Sequence, residues 1–444
     1  MKFQIFASAA ICFPLLAFAC LLEEELEGLP MKVIRRQTGN TSIEIGAGDR
    51  YKNGKIAPRG VGSSTEALTS ILNVNEIASG LRGLSSVYGV PLFTTPYKTF
   101  NGASITGVLL GGGDAKCNGA YRIYLNGGLH ARERGSPDGI LLFAGDLLYA
   151  DRHNQGLTYG SKSYTAEQVK TVLAAGIVIL PLINPDGVAW DHSTNSCWRK
   201  NRNTRSSTGT DASVGVDLNR NFDFLHDYRT AFAPNLPRSV ASDDPSAENF
   251  HGPSAFSEAE TLSMKWVMDT FSRIRWFLDL HSYAGTVIHS WGSDENQSEF
   301  PSMNFQNHTY DSVRGILTDT PGVGTGYGEY SPESESSINI EGARRIAAGM
   351  SAVAGRTYTS LASAAFYPTS GSSDDYAYSR HFVDPSLNLI HAYAIEFGFA
   401  NMAEGCPFYP TAALHNDNMK EVGAGLMDLV LSATELGLGD ATTC

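Results

Sequence analysis

The sequence predicts an α/β fold: a three-layer sandwich with a mixed central β-sheet and helices on both faces. Three observations carry this expectation. Four apolar runs, at 121–130, 176–187, 274–283 and 391–399, lack the alternation of a half-wet strand and suit central strands covered on both faces. Segments with helical spacing lie between and after them, the pattern of an α/β sandwich. His130, His281 and Glu396 sit at or near the ends of these runs, where open α/β sheets place their sites.

Each element has its own signal. YRIYLNGGLH (121–130) is a strand running into a glycine turn, and GILLFAGDLLYADRH (139–153) has helical spacing. GIVILPLINPDG (176–187) is a buried strand ending in an Asn-Pro-Asp-Gly turn. AETLSMKWVMDTF (259–271) is a helix, IRWFLDLHSY (274–283) a strand, HAYAIEFGF (391–399) a strand, and EVGAGLMDLVLSATELG (421–437) a closing helix. The small-residue stretch around SGSSDDY, with Asp374 and Asp375 between Tyr367, Tyr376 and Tyr378, is expected to be a loop.

The chain has 444 residues, 42% of them hydrophobic and 18% charged, a globular composition long enough for a large core. Its start, MKFQIFASAAICFPLLAFAC, reads as a secretory signal over 1–19, with Ala17-x-Ala19 as the cleavage site. Cys20 admits a lipoprotein reading. Residues 20–62 read as a short pro-segment and linker, with a dibasic processing site after Arg36 and a loosely held arm from 37 to 62. Residues 63–444 form one domain, with no second linker and no internal repeat. No later segment is apolar enough to span a bilayer. Cleavage after Arg36 leaves Cys117, Cys197, Cys406 and Cys444, an even set that in a secreted chain predicts two disulfides of unassigned pairing. Asn40, Asn296 and Asn307 lie in glycosylation sequons. The net charge of −13 argues against nucleic acid as a partner.

The chemistry starts at His130-x-x-Glu133. Where a strand meets a turn, imidazole and carboxylate three residues apart can converge on one Zn²⁺. His381-x-x-Asp384 is a rival of the same spacing. Arg199, Lys200, Arg202, Asn219 and Arg220 cluster cationic and amide groups in an acidic protein. That is either a solvated basic loop or an anion site, since the arginine fork matches a carboxylate. His281 ends an apolar strand and reads as a bonded core histidine or a ligand. Glu396 lies within a buried strand, where an unpaired carboxylate is costly, so it needs a partner or a function.

His130-x-x-Glu133, Asn184-Pro185-Asp186-Gly187, Trp198-Arg199-Lys200, Asp217-Leu218-Asn219-Arg220-Asn221, His281-Ser282-Tyr283, Tyr367 with its S-G-S-S-D-D-Y stretch, and Glu396 occur in one order. This resembles the secreted zinc metallocarboxypeptidases of the carboxypeptidase A/B kind, over roughly 65–435. The resemblance implies a zinc-dependent peptide hydrolase that releases single residues from peptide or protein C-termini, one Zn²⁺ per chain, extracellular and monomeric. His130, Glu133 and His281 are the implied ligands, with Asp217 orienting His130. Glu396 is the implied general base and Arg199 the implied oxyanion stabiliser. Asn219 and Arg220 would clamp the substrate carboxylate, Arg132 would contact the substrate further along, and Tyr367 would close over the end residue. Counting from Tyr367, Asp374 falls at the implied pocket floor and predicts a preference for C-terminal Lys or Arg. Asp375 would be structural, bonded to nearby backbone or to Arg380. The alternatives are a catalytically dead peptide-binding relative, or hydrolysis of non-peptide amides or γ-linked cell-wall peptides. Two departures stand out: 20–62 is too short for the folded inhibitory pro-domain common in the family, and FGFANMAEGCPFYP after Glu396 looks more like microbial members.

Overall fold

The computed structural model describes residues 41–112, 120–317 and 326–439. The signal, the Arg36 site, Asn40, Cys20, Cys117 and Cys444 lie outside the described residues. The central sheet is built from β1 (Leu92–Lys98), β2 (Ser104–Leu110), β3 (Ile123–Gly127), β4 (Ile177–Leu180), β5 (Trp276–His281), β6 (Thr286–His289), β7 (Thr359–Ala362) and β8 (His391–Glu396). Their spatial order is β1-β2-β4-β3-β5-β8-β6-β7. The central four, β4-β3-β5-β8, are parallel, whereas β1–β2, β2–β4 and β8–β6 pair antiparallel. The expected mixed sheet is therefore the observed one.

The main helices are α1 (Val74–Tyr88), α2 (Ser136–Arg152), α3 (Ala166–Ala174), α4 (Pro185–Thr194), α5 (Ala259–Thr270), α6 (Glu333–Ala354), α7 (Ser373–Val383) and α8 (Ala412–Leu436). Strand alternation divides the core between two faces. On one face Ile123, Leu125, Trp276, Leu278, Leu280 and Ile395 pack with α2, α6 and α8 through Ile140, Leu141, Ile346, Met350, Val422 and Leu426. On the other face Tyr124, Val178, Leu180, Phe277 and Ala392 pack with α5 and α7 through Met264, Val267, Met268, Ala377 and Tyr378. Each large side chain so buried contributes about 1.5–3 kcal/mol.

The second face changes character along the strands. Tyr124, Phe277 and Ala392 lie level with one another, then Asn126, Asp279 and Ala394, then His281 beside Glu396. One face thus runs from apolar to polar toward the C-terminal ends of the parallel strands, and the chemistry gathers there.

Four local expectations are corrected. Asn184-Pro185-Asp186-Gly187 is the start of α4, with Asn184 accepting from the Gly187 N–H and Pro185 in the first turn. An Asn cap followed by Pro is a helix entry as much as a turn. The closing helix starts earlier, at Ala412, because the Thr411 side chain caps it by accepting from Leu414 N–H. The Asp374–Asp375 stretch is the first turn of α7, where two carboxylates face the positive end of the helix dipole. Residues 41–62 are also no loose arm. Thr41 N, Thr41 Oγ1 and Ser42 N all donate to Glu404 Oε1 at 2.7–2.9 Å, Arg50 pairs with Glu76 at 2.7 Å, and Ile43 and Tyr51 are buried.

Cys197 and Cys406 form a disulfide across 209 residues of chain, which answers one half of the pairing question. Closing so long a loop takes much entropy from the unfolded chain. Replacing both cysteines by serine is expected to lower the unfolding free energy by about 4 kcal/mol, measured by denaturant titration. A loss under about 1 kcal/mol would show that the cross-link contributes little. The Asn296 amide is bonded on both sides, donating to Ser290 O and accepting from Trp291 N–H, each at 3.0 Å, and is poorly placed for a glycan.

Candidate metal centre and substrate cleft

His130 lies three residues beyond β3, and Glu133 follows in the turn before α2. The turn folds Glu133 back so that its Oε1 is 2.7 Å from His130 Nδ1. Its Oε2 lies 3.0 Å from Nδ1 of His281, the last residue of β5. The two Nδ1 atoms are 3.1 Å apart. Ligand atoms of His130, Glu133 and His281 all fall within 4.8 Å of one another, and all three residues are buried.

The outer edge of each ring meets a carboxylate. His130 Nε2 is 3.0 Å from Asp217 Oδ1, and His281 Nε2 is 3.1 Å from Asp279 Oδ2. The Asp217 bond makes His130 Nε2 the N–H donor and leaves its Nδ1 lone pair pointing inward, and the Asp279 carboxylate within ion-pair distance of His281 Nε2 favours the same tautomer there. Two imidazole lone pairs and a carboxylate then converge on one buried point, an arrangement that repels itself unless a cation lies within it. Two imidazoles and one carboxylate, with a position left for water, suit Zn²⁺. The Asp217 carboxyl is pushed up by burial, but Arg199 and His130 outweigh this and hold it well below the usual range. Arg199 grips Asp217 Oδ2 through Nε at 3.1 Å and Nη2 at 2.9 Å, while its Nη1 lies 3.3 Å from His130 Nδ1.

Beside the centre is a cleft of about 330 Å³, counting space open to solvent. His281 and Glu396 line it together with Asn219, Arg220, Tyr367 and Asp374. Register explains the first pair, since Glu396 is the direct neighbour of His281 on adjacent parallel strands. The stretch before α7 lies flat on the Asn219–Arg220 turn. Phe222 N–H donates to Gly371 O at 3.1 Å and Gly371 N–H to Phe224 O at 2.9 Å. Gly371 has φ +67°, and a Cβ there would collide with the Arg220 carbonyl, so the small residues serve close packing.

These observations settle the family. A family model described as zinc carboxypeptidase, peptidase M14, matches residues 91–414. The chain belongs to the zinc carboxypeptidase family. It is 28% identical to zinc carboxypeptidase A 1 of Drosophila melanogaster over 242 residues, 54% of this chain and 50% of that protein. It is 31% identical to carboxypeptidase A2 of Rattus norvegicus over 170 residues, 38% of this chain and 35% of that one. The aligned stretches thus span half or less of these relatives. The fold is similar to that of bovine thrombin-activatable fibrinolysis inhibitor in complex with tick carboxypeptidase inhibitor. That match has a TM-score of 0.58 and 17% identity, covering 82% of this chain and 98% of that one. Carboxypeptidase A from Helicoverpa armigera superposes with a TM-score of 0.55 at 18% identity, over 82% and 74%.

In this member of the zinc carboxypeptidase family, Arg132 and Arg199 lie apart from the cleft lining. Arg132 has its guanidinium 4.4 Å from the Phe408 ring centre and Nη1 3.6 Å from Glu248. The rival His381-x-x-Asp384 is no metal pair: His381 Nδ1 bonds Leu387 O, and Asp384 caps Ser386. Asp375 accepts from Gly292 N–H at 3.0 Å on both oxygens, while Arg380 pairs with Asp269 instead. The residue that sequence reasoning missed is Asp279. Its signal was present in LDLH: residues two apart on a strand share a face, so an acid two before a ligand histidine is placed to serve it.

Proposed function

We propose that this protein is a secreted, zinc-dependent carboxypeptidase that hydrolyses the C-terminal peptide bond and releases single amino acids, preferring Lys or Arg through Asp374. The observation that supports this best is the company within one cleft: a candidate ligand (His281), a buried carboxylate with no ion pair among the described residues (Asp374), a candidate base (Glu396) and a candidate carboxylate clamp (Asn219, Arg220).

In this reading His130, Glu133 and His281 hold one zinc, which when bound polarises the scissile carbonyl and acidifies a water. Glu396 takes the proton of the attacking water and delivers it to the leaving nitrogen as the C–N bond breaks. Arg199, with two nitrogens fixed on Asp217, turns Nη1 toward the centre, where negative charge develops on the former carbonyl oxygen. Arg220 spends Nε on Val240 O and Nη1 on Asn219 O, leaving the buried Nη2 without a partner among the described residues and available to the substrate carboxylate. Asn219 accepts from Ser373 N–H through Oδ1 at 2.8 Å, which directs its NH₂ toward the same carboxylate. Tyr367, its ring centre 5.9 Å from the Arg220 guanidinium, closes over the end residue. Arg132 would meet the substrate further toward its N-terminus.

The extracellular location rests on the 1–19 leader pattern. No helix among the described residues is long and apolar enough to cross a membrane. The protein is proposed to act as a monomer, with neither nucleic acid nor membrane as a partner. A release profile tests the function: peptides differing only in their last residue are incubated with the zinc-loaded protein and kcat/KM is measured. Release of terminal Arg or Lys is expected. No release of a C-terminal residue from any peptide, with zinc bound, would sink the reading.

A further inference from the structure

The two candidate histidine ligands are held very differently. Asp217, behind His130, is tied on both oxygens: Oδ1 accepts from His130 and from Asn219 N–H, and Oδ2 receives the Arg199 fork. Asp279, behind His281, is fully buried, and among the described residues its Oδ2 has partners while its Oδ1 has none. That Oδ2 meets His281 Nε2 at 3.1 Å and accepts from Ser373 Oγ at 2.6 Å. The single hydroxyl of Ser373 does for Asp279 what an arginine and a backbone amide do for Asp217.

Ser373 is fully buried and opens α7, directly before Asp374. Its backbone N–H holds Asn219 Oδ1 at 2.8 Å. One residue therefore touches the partner of a metal ligand through its side chain and the carboxylate clamp through its backbone, while its neighbour lines the cleft.

We propose that Ser373 is a positioning residue for the metal centre: its hydroxyl fixes Asp279, and Asp279 fixes the His281 imidazole so that Nδ1 faces the zinc position. This rests on the zinc carboxypeptidase reading and adds a residue on the pocket helix to the support of the metal. The physical basis is direct. A carboxylate with one anchoring donor can rotate about its Cβ–Cγ bond once the donor is gone, and the imidazole it orients loses its preferred tautomer and direction with it. His130 has no such dependence, because the Arg199 fork holds Asp217 whatever α7 does.

The division of labour within Ser373 makes the idea testable. Ser373→Ala deletes the hydroxyl and leaves the backbone bond to Asn219. Zinc affinity of Ser373→Ala and of Asp279→Asn is measured by competition with a chromogenic chelator, alongside thermal unfolding of the metal-free proteins and the separate kcat and KM of the zinc-saturated ones. Outer-shell partners of metal-bound histidines typically set affinity by 10- to 100-fold. Both variants are expected to bind zinc about tenfold or more weakly. In Ser373→Ala the metal-free unfolding midpoint should stay within about 1 °C of the parent, since in a domain of this size even a small loss of stability moves the midpoint that far. Its KM should be unchanged, because Asn219 keeps its backbone donor, while kcat falls. Parent-like zinc affinity in Ser373→Ala would overturn the proposal. So would a lowered metal-free midpoint with unaltered affinity, which would make the hydroxyl a packing contact only. A parent protein that binds zinc tightly but cleaves no peptide would sink the proposed activity and leave the affinity comparison intact.

Discussion

Glu396→Gln is expected to retain one zinc per chain and to lose turnover by roughly 10³-fold, within the range that a positioned acid–base group supplies. Glutamine matches the shape of glutamate and can fill the same space at the end of β8 but cannot accept a proton there. Glu396 is not among the three convergent ligands, so removing its charge leaves the ligand set whole. It stands next to His281 by strand register and lines the same cleft, so in the proposed mechanism its carboxylate acts beside the metal without being needed to hold it. His130→Ala is the contrast: it deletes one of three donors, and metal and activity should disappear together. Metal analysis of dialysed protein beside kcat on one good substrate separates the two cases. Loss of zinc from Glu396→Gln would mean that the carboxylate is a ligand and that proton transfer belongs elsewhere.

How much of this was legible in the sequence follows from the range over which each signal acts. His130 and Glu133 are three residues apart in a turn, so spacing made them candidates, and only the further motifs that follow them in order set them above His381-x-x-Asp384. Glu396 stood out as a charge inside an apolar run, which burial makes costly. Asp279 obeyed an equally local rule, strand alternation, and was passed over because Leu278 and Leu280 beside it read as core. What pairs His281 with Glu396 is register between strands far apart in the chain, and no local pattern encodes that. The Asp374–Asp375 helix was hidden for a different reason. Ser370, Gly371, Ser372 and Ser373 have the composition of a loop, yet Gly371 lies against the Arg220 carbonyl and Ser373 bonds Asn219 and Asp279. Their smallness answers tertiary packing, which composition cannot distinguish from a turn. The Thr41–Gly62 arm misled in the same way: polar residues that seem made for water are spent on Glu404 and Glu76.

The second large effect is expected at Asp374. Its carboxyl is buried, its Oδ2 has no partner among the described residues, and it lines the cleft. Among the described residues no arginine or lysine pairs with it, and Arg380, on the same helix, is engaged with Asp269. Burial, opposed by local hydrogen bonds and reinforced by the Asp279 charge, pushes the Asp374 carboxyl up. An empty pocket, or one holding a phenyl ring, therefore penalises the ionised carboxylate, and a cation relieves that penalty. A terminal lysine or arginine supplies that cation and regains the charge pairing, whereas a terminal phenylalanine leaves a polar group buried and unsatisfied. Ser363, Thr369 and Ser372 on the cleft wall add polar surface that suits a basic side chain. Terminal Arg or Lys should accordingly be released more than about tenfold faster than terminal Phe, and tenfold corresponds to only about 1.4 kcal/mol. Asp374→Ile removes the charge and lays an apolar floor, so the order should reverse, with Phe and Leu ends now favoured over Arg. The measurement is kcat/KM on peptide pairs that differ only in the final residue, for parent and variant side by side. Equal rates on Phe and Arg ends in the parent, unmoved by Asp374→Ile, would mean that Asp374 serves the first turn of α7 and that side-chain choice is made elsewhere in the cleft.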